Sequence, residues 1–280
     1  MRFSTVLSMQ PTRFEAVVFK GNFSENAAAI AGLGYDGLEL AIRDPAQIDL
    51  ATVTRVLARH DLVVPALGTG QAYGEEGLSF TDGDGAVRAA AVARIKSHIG
   101  LAVELQAVVI LGLIRGRTPP HIERTQAMAW LAAALDECTE TAERVGVQLV
   151  IEPINRYETD LINCIEEGLD LLAGVGAGGR TLGLLPDTFH MNIEEPSITA
   201  SLRRAAPHIF HFHVADSNRW YPGAGHLDFK KILALLRDEA GYDGWVSAET
   251  LPYPDIGTAA ERGLRHLQAC VAEAKDGGDE

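Results

Sequence analysis

Four residues in the second half of the chain stand at or near the ends of apolar runs: Glu152, Asp187, His213 and Glu249. Glu152 closes the run Val147 to Ile151 and precedes Pro153. Asp187 follows Thr181 to Leu185, His213 falls near the end of Ile209 to Val214, and Glu249 closes Trp245 to Ala248. A nearly continuous apolar run is the mark of a parallel strand covered on both faces. Proline has no amide proton for a ladder and ends such a strand. Each polar residue therefore falls at a strand's C-terminal end, where parallel α/β folds place their chemistry. Three carboxylates with one imidazole make an oxygen-rich donor set. It suits Mn²⁺ first, then Mg²⁺ or Co²⁺, with Zn²⁺ less well matched because structural zinc recruits thiolates. Singly, each residue has a plainer explanation. Glu152 and Asp187 could cap the helices that follow, and His213 could be a satisfied core histidine. Their recurrence in four consecutive units points to a shared metal site.

Further candidates lie close by in sequence. Glu158 sits in the loop after Glu152, His190 follows Asp187 by a short turn, and Arg219 lies in Asp216-Ser217-Asn218-Arg219-Trp220. His211 alternates with His213 through Phe212; His213 is the favoured ligand because it lies nearer the strand's C-terminal end. His226 reads equally as part of a capping turn or as a site residue. Trp220, Phe189 and Tyr73 could wall a pocket or simply pack.

The elements that must position these groups follow a regular alternation. Eight strand-like runs, near 3–9, 35–41, 62–67, 107–111, 147–151, 181–185, 209–214 and 245–248, alternate with helical stretches near 26–31, 49–60, 86–104, 121–145, 164–173, 198–206, 229–239 and 258–275. Residues 75–85 read as a polar, Gly-rich loop and 174–179 as a flexible turn. Eight strand–helix units with few hairpin signals predict a (β/α)8 barrel. One domain is expected over 1–280, with about 276–280 a polar tail. No strand carries GxGxxG and there is no Walker loop.

Composition narrows the function. The chain has 280 residues, 47% apolar and 22% charged, with a formal net charge of −14. So acidic a surface disfavours nucleic acid and anionic membranes as partners. Cys138, Cys164 and Cys270 are odd in number and scattered, which argues against a disulfide framework. The N-terminal stretch lacks the pattern of a secretory signal, and no run is clean enough to span a bilayer, so a cytoplasmic enzyme is expected.

The motifs EPINRYE, DTFHMN, HFHVAD and VSAE resemble those of the sugar isomerase/epimerase superfamily with a xylose-isomerase-like barrel, and within it the ketose 3-epimerases. That resemblance covers essentially the whole chain. It implies a divalent ion held by Glu152, Asp187, His213 and Glu249, with Glu152 and Glu249 moving the proton. It also implies that Glu158, His190 and Arg219 bind substrate. The segments GLELAIRDP, GTGQAY (whose Gln71 is a further substrate-binding candidate), GLIRGR, EPINRYETD, DTFHMNIEE and HFHVADSNRWYPGAGHLDF are most like the sugar-acid members, the 5-keto-L-gluconate epimerases; Pro186 before Asp187 departs from the usual apolar residue. The implied reaction interconverts 5-keto-L-gluconate and D-tagaturonate through an enediolate. A keto-uronate needs a cation for its carboxylate, for which Arg115 and Arg117, then Arg43, are the candidates; alternatively they pair with the protein's own carboxylates. Other readings are a free ketohexose 3-epimerase of the D-tagatose or D-psicose type, a hydroxypyruvate-type isomerase, or an inositol-pathway dehydratase. A three-zinc endonuclease of this fold would need more histidines and a basic face. A small keto-sugar is the expected partner, and a homodimer or homotetramer the expected assembly.

Overall fold

A computed structural model describes residues 1–176 and 180–276. The barrel strands are β1 (Arg2–Ser8), β2 (Gly37–Ala41), β3 (Ala66–Gly68), β4 (Val108–Leu111), β5 (Leu149–Ile151), β6 (Leu182–Leu184), β7 (Phe212–Val214) and β8 (Trp245–Ala248). All pair in parallel, in the order β6-β5-β4-β3-β2-β1-β8-β7. Parallel bridges Leu184↔Ile209 and Asp187↔His213 join β6 to β7 and close the ring. The expected (β/α)8 barrel is what the chain forms. A two-residue strand, Phe19–Lys20, pairs outside the ring on β1.

Every expected strand is present, but in six of the eight the hydrogen-bonded core is shorter than the apolar run. The third run, 62–67, pairs as a strand only over Ala66–Gly68. Pro65 lies within it and offers only a carbonyl, which accepts from Val108 N at 3.0 Å. The helices up to β7 include α1 (Phe23–Leu33), α2 (Leu50–His60), α3 (Gly70–Glu76), α4 (Gly85–Leu105), α5 (Arg124–Val145), α6 (Ile165–Gly174) and α7 (Thr188–Glu194); α3, which runs into the expected loop at 75–85, and α7, which follows β6, were not among the expected helices. Residues 177–179 of the expected turn and 277–280 of the expected tail lie outside the described residues. No helix among the described residues is long and apolar enough to cross a membrane.

The pleat decides what faces the barrel axis, because side chains alternate along a strand. Ala66, Ile110, Val150 and Leu185 pack on one another as an inner apolar layer. Their neighbours in sequence, Leu67, Val109, Leu111, Leu149, Ile151 and Leu184, belong to the larger core against the helices. Two residues beyond Val150 is Glu152, and two beyond Leu185 is Asp187. The same phase puts Glu39 of β2, His213 of β7 with His211 just before the strand, and Ser247 of β8 with Glu249 just after it, inward. The chain thus changes at one level from an apolar floor to a polar rim.

Candidate metal centre and active site

Four donor atoms meet at that rim. His213 Nδ1 lies 3.8 Å from Glu152 Oε1, 3.8 Å from Asp187 Oδ2 and 3.8 Å from Glu249 Oε2. All four donor atoms lie within 4.8 Å of one another. His213 Nδ1 and Glu152 Oε1 are buried and have no hydrogen-bond partner. Buried polar atoms are nearly always paired, so two facing orphans mark a place built for a ligand. With Glu39 included, three buried carboxylates and the half-buried Glu249 crowd a space that Arg219 and the imidazoles balance only in part. A divalent cation fits that donor set in charge, element and spacing.

Glu39 was not singled out in the sequence, yet it organises the imidazoles. It is 1% exposed. Its Oε2 accepts from His211 Nε2 and from His213 Nε2, both at 2.9 Å. Glu39 thus holds the His213 proton on Nε2, so that a cation replacing the second proton meets a lone pair on Nδ1, the carboxylate–histidine arrangement typical of metal ligands. The detectable signal was a carboxylate in the middle of a buried strand, Gly37-Leu38-Glu39-Leu40-Ala41, which demands a partner.

The charges set one another. Burial and the Glu249 charge push Glu152 well above the ordinary carboxylate range. Burial also raises Glu249, to about 7, against the pull of Arg219 and His213. For Asp187 burial is outweighed by Arg219, His190 and His213, which hold it at about 2. Burial alone would depress His213, but Glu39 and the surrounding carboxylates lift it to about 10. Two carboxylates forced upward beside one held down are suited to different tasks.

Loops bring in the remaining candidates. Asp187 caps α7, its Oδ1 accepting from Phe189 N and His190 N at 2.7 and 3.3 Å, so it belongs to the cap and to the donor cluster together. That cap orients His190, whose Nδ1 accepts from Asn155 Nδ2 at 2.8 Å, and whose Nε2 lies 3.6 Å from Glu152 Oε1. Burial lowers His190 to about 3, so it is a neutral donor. Asn155 Nδ2 also donates to Glu158 Oε1 at 2.8 Å. Arg219 donates to Asp187 Oδ2 at 2.8 Å and to Glu249 Oε2, and stacks 4.8 Å above the Phe189 ring. Gly112 faces Glu152; a Cβ there would come within 3.2 Å of Glu152 Oε2.

These groups open into a cavity of about 420 Å³ lined by Glu152, Glu158, His190, His213, Arg219, Glu249 and Gln71, among others. Arg115 and Arg117 do not line it. Arg115 is fully buried, donating to the carbonyls of Gly112, Leu161, Ile162 and Glu152. The one-turn 3₁₀ segment Leu113–Arg115 folds its side chain under the Glu152 loop instead of toward ligand. Arg117 is exposed and donates to Glu158 O at 3.1 Å. Arg43 pairs with Glu76 at 3.3 Å. The expected carboxylate anchors therefore hold backbone or protein carboxylate. Trp220, Phe189 and Tyr73 are not lining residues either; Phe14 is. His226 shares a hydrogen bond with Ser217 Oγ at 2.9 Å, outside the cavity.

A closed parallel barrel with its titratable residues gathered at the C-terminal rim defines a (β/α)8 enzyme. Residues 27–270 match the family described as xylose isomerase-like TIM barrel. The chain is 32% identical over 220 residues to an L-ribulose 3-epimerase of Mesorhizobium japonicum, covering 78% of this chain and 71% of that one. It is 32% identical over 256 residues to an L-ribulose 3-epimerase of Methylomonas sp., covering 86% and 85%. The crystal structure of a D-allulose 3-epimerase from Methylomonas sp. in complex with D-allulose superposes with a TM-score of 0.80, at 25% identity, over 96% of each chain. The protein belongs to the xylose isomerase-like TIM-barrel family. Within it the chain stands among the sugar epimerases, and it is an enzyme of the isomerase class.

Proposed function

We propose that this protein epimerises an uncharged ketose at the carbon beside the ketone. Glu152, Asp187, His213 and Glu249 would hold a divalent ion, Mn²⁺ in the first instance. When bound, that ion would act as a Lewis acid on the ketone, making the neighbouring C–H acidic enough to lose its proton. Inversion needs one proton removed from one face and another returned to the opposite face. Glu152 and Glu249 come from β5 and β8, on different sides of the ring, and each has a second carboxylate oxygen for that proton. Glu158, His190 and Arg219 orient the oxygens around the reacting carbon and prevent rotation of the open-chain sugar. Asn155 joins Glu158 to His190 and keeps the imidazole donor on Nε2.

The observation that carries the reading is the orphaned His213 Nδ1, equidistant from three carboxylate oxygens, while its other nitrogen is tied to Glu39. The uncharged substrate is favoured by the positions of Arg43, Arg115 and Arg117 and by the relatives' ketose chemistry. A keto-sugar acid, such as 5-keto-L-gluconate, is the second reading. Arg13 at the cavity rim favours it, although its N and Nε already donate to Glu75 and its Nη2 to Gly74 O.

The test is proton NMR in D₂O with Mn²⁺-loaded protein, offering L-ribulose, D-allulose, D-tagatose and 5-keto-L-gluconate separately. Deuterium entering at C3 of a neutral ketose, with its epimer accumulating, is the expected result. Exchange confined to the keto acid would move the substrate to sugar acids. Label in an aldose, or no exchange in any sugar, would remove the epimerase reading.

A further inference from the structure

Gln71 lies in the first turn of α3, is 4% exposed and lines the cavity. Its Nε2 donates to Ser8 Oγ at 2.7 Å, and Ser8 Oγ donates to Gln10 O at 2.7 Å. A hydroxyl has one proton. Because Ser8 gives it to Gln10, Ser8 can only accept from Gln71. That order fixes the amide: its NH₂ faces Ser8 and its carbonyl faces away. The far end of the relay is anchored as well. Gln10 Oε1 accepts from Arg43 N at 2.7 Å and Asp44 N at 3.1 Å, and Gln10 Nε2 donates to Asp44 O at 3.0 Å.

Gln71 Oε1 is buried and has no partner. A buried amide oxygen without a donor is costly, so it persists where something else completes it. Beside the apolar wall of Val6, Phe14, Ala41, Ile110 and Leu113, the nearby lining donors are committed elsewhere: Thr12 and Thr69 give their hydroxyl protons to Glu75 Oε1 and Ile110 O, and Arg13 donates to Glu75 and Gly74 O. The missing donor must come from whatever fills the cavity.

We propose that Gln71 reads the end of the sugar remote from the ketone: its Oε1 accepts a hydrogen bond from a tail hydroxyl, and this contact favours a polyol tail over a carboxylate. The assignment rests on the ketose reading above, in which the groups around Glu152 and His213 take the ketone end. An ionised carboxylate has no proton to give and would set oxygen against oxygen. This contact would add a positive reason for an uncharged substrate to the one given by the positions of Arg43, Arg115 and Arg117.

The test compares wild type, Gln71→Leu and Ser8→Ala, all Mn²⁺-loaded. Titration calorimetry gives affinity and C3 deuterium exchange gives turnover, using D-allulose, its 4-, 5- and 6-deoxy forms, and 5-keto-L-gluconate. Gln71→Leu is expected to weaken D-allulose about tenfold, in affinity and KM with kcat little changed. One deoxy sugar should be about tenfold weaker on wild type and lose nothing further on Gln71→Leu. Ser8→Ala frees the amide to turn its NH₂ toward the cavity, so the preference for D-allulose over the keto acid should shrink. Equal losses on every sugar, or no loss on any, would overturn the assignment, as would an unchanged preference in Ser8→Ala. Binding that depends on Gln71 without exchange in wild type would keep this contact and remove the epimerase reading. Neither binding nor exchange would overturn both.

Discussion

Replacing Glu39 by Gln isolates what its charge does. Both imidazole Nε2–H groups point at one oxygen, Oε2, at 2.9 Å. A glutamine amide can place its carbonyl oxygen there and keep both hydrogen bonds. Its NH₂ then takes the place of Oε1, on the side where Glu39 lines the cavity. Shape and hydrogen bonds survive; the negative charge behind His213 does not. Losing an anionic partner behind a metal-ligating histidine typically costs about 10- to 100-fold in metal affinity, or roughly 1.4 to 2.7 kcal/mol. Glu39→Gln should therefore weaken Mn²⁺ binding by that factor in titration calorimetry, while the thermal midpoint of the metal-free protein moves by only a few degrees. Glu39→Ala is the contrast. It leaves two buried N–H donors unpaired, at about 1 to 3 kcal/mol each, and should lower the metal-free midpoint as well. Glu39→Gln binding Mn²⁺ within about threefold of wild type would refute the argument that Glu39 prepares His213 as a ligand.

Three further outcomes follow from the same geometry. Arg115→Met removes a donor from each of four buried carbonyls, of which Gly112 O and Ile162 O keep the backbone donors Arg115 N and Ile154 N, and should destabilise the protein by about 3 kcal/mol, a midpoint fall of roughly 10 °C by calorimetry; an unchanged midpoint with selective loss of keto-acid turnover would restore Arg115 as a substrate anchor. Asp216, buried, accepts from Ser217 N, Leu227 N and Gly223 N at 2.8, 3.1 and 2.9 Å, and these bonds outweigh burial to hold its carboxyl below the usual range. A depressed carboxylate contributes stability above its unfolded pKa of about 4, which is lost as pH falls through the folded value. Asp216→Asn should thus cost about 1 to 3 kcal/mol at pH 7 in urea denaturation, with the gap to wild type closing on acidification below about pH 4; a gap constant with pH would contradict this. Removing metal with EDTA should lower the midpoint and restoring Mn²⁺ at about 100 times its Kd should return about 2.7 kcal/mol; no metal-dependent shift would argue against Glu152, Asp187, His213 and Glu249 as the ligand set.

The barrel was legible because each strand announces itself locally, as a short apolar run with a helix after it. The four donors were legible for the same reason: a carboxylate or imidazole at the end of such a run inherits its direction from the pleat. Several alternatives weighed from the sequence turn out not to exclude one another. Asp187 is both the α7 cap and a member of the donor cluster. His213 is satisfied on Nε2 like a core histidine and open on Nδ1 like a ligand. Arg115 was misread because its carbonyl partners at Leu161 and Ile162 lie 46 and 47 residues away, a relation that no local pattern carries. Glu39 was overlooked because its strand is unremarkable except for the one charge it buries, and His211 and His213, which explain that charge, come 172 and 174 residues later.

Glu39 and Arg115 share a logic that separates them from the groups facing the cavity centre. Each buries a full charge, and each meets it with polar groups from a different part of the barrel: β2 with β7 for Glu39, the loop after β4 with the loop after β5 for Arg115. Burying such a charge is tolerated only when the partners are already in place, so each works as a register pin. Glu39 fixes the rotation of His213, and Arg115 fixes the carbonyl of Glu152 and the loop leading to Glu158. A reaction that must remove a proton from one face of a carbon and return it to the other tolerates little misplacement of either glutamate. The two pins lie at the roots of that geometry rather than at its tips. Mutations in them should therefore blunt every substrate alike, whereas changes at Gln71 should discriminate among substrates.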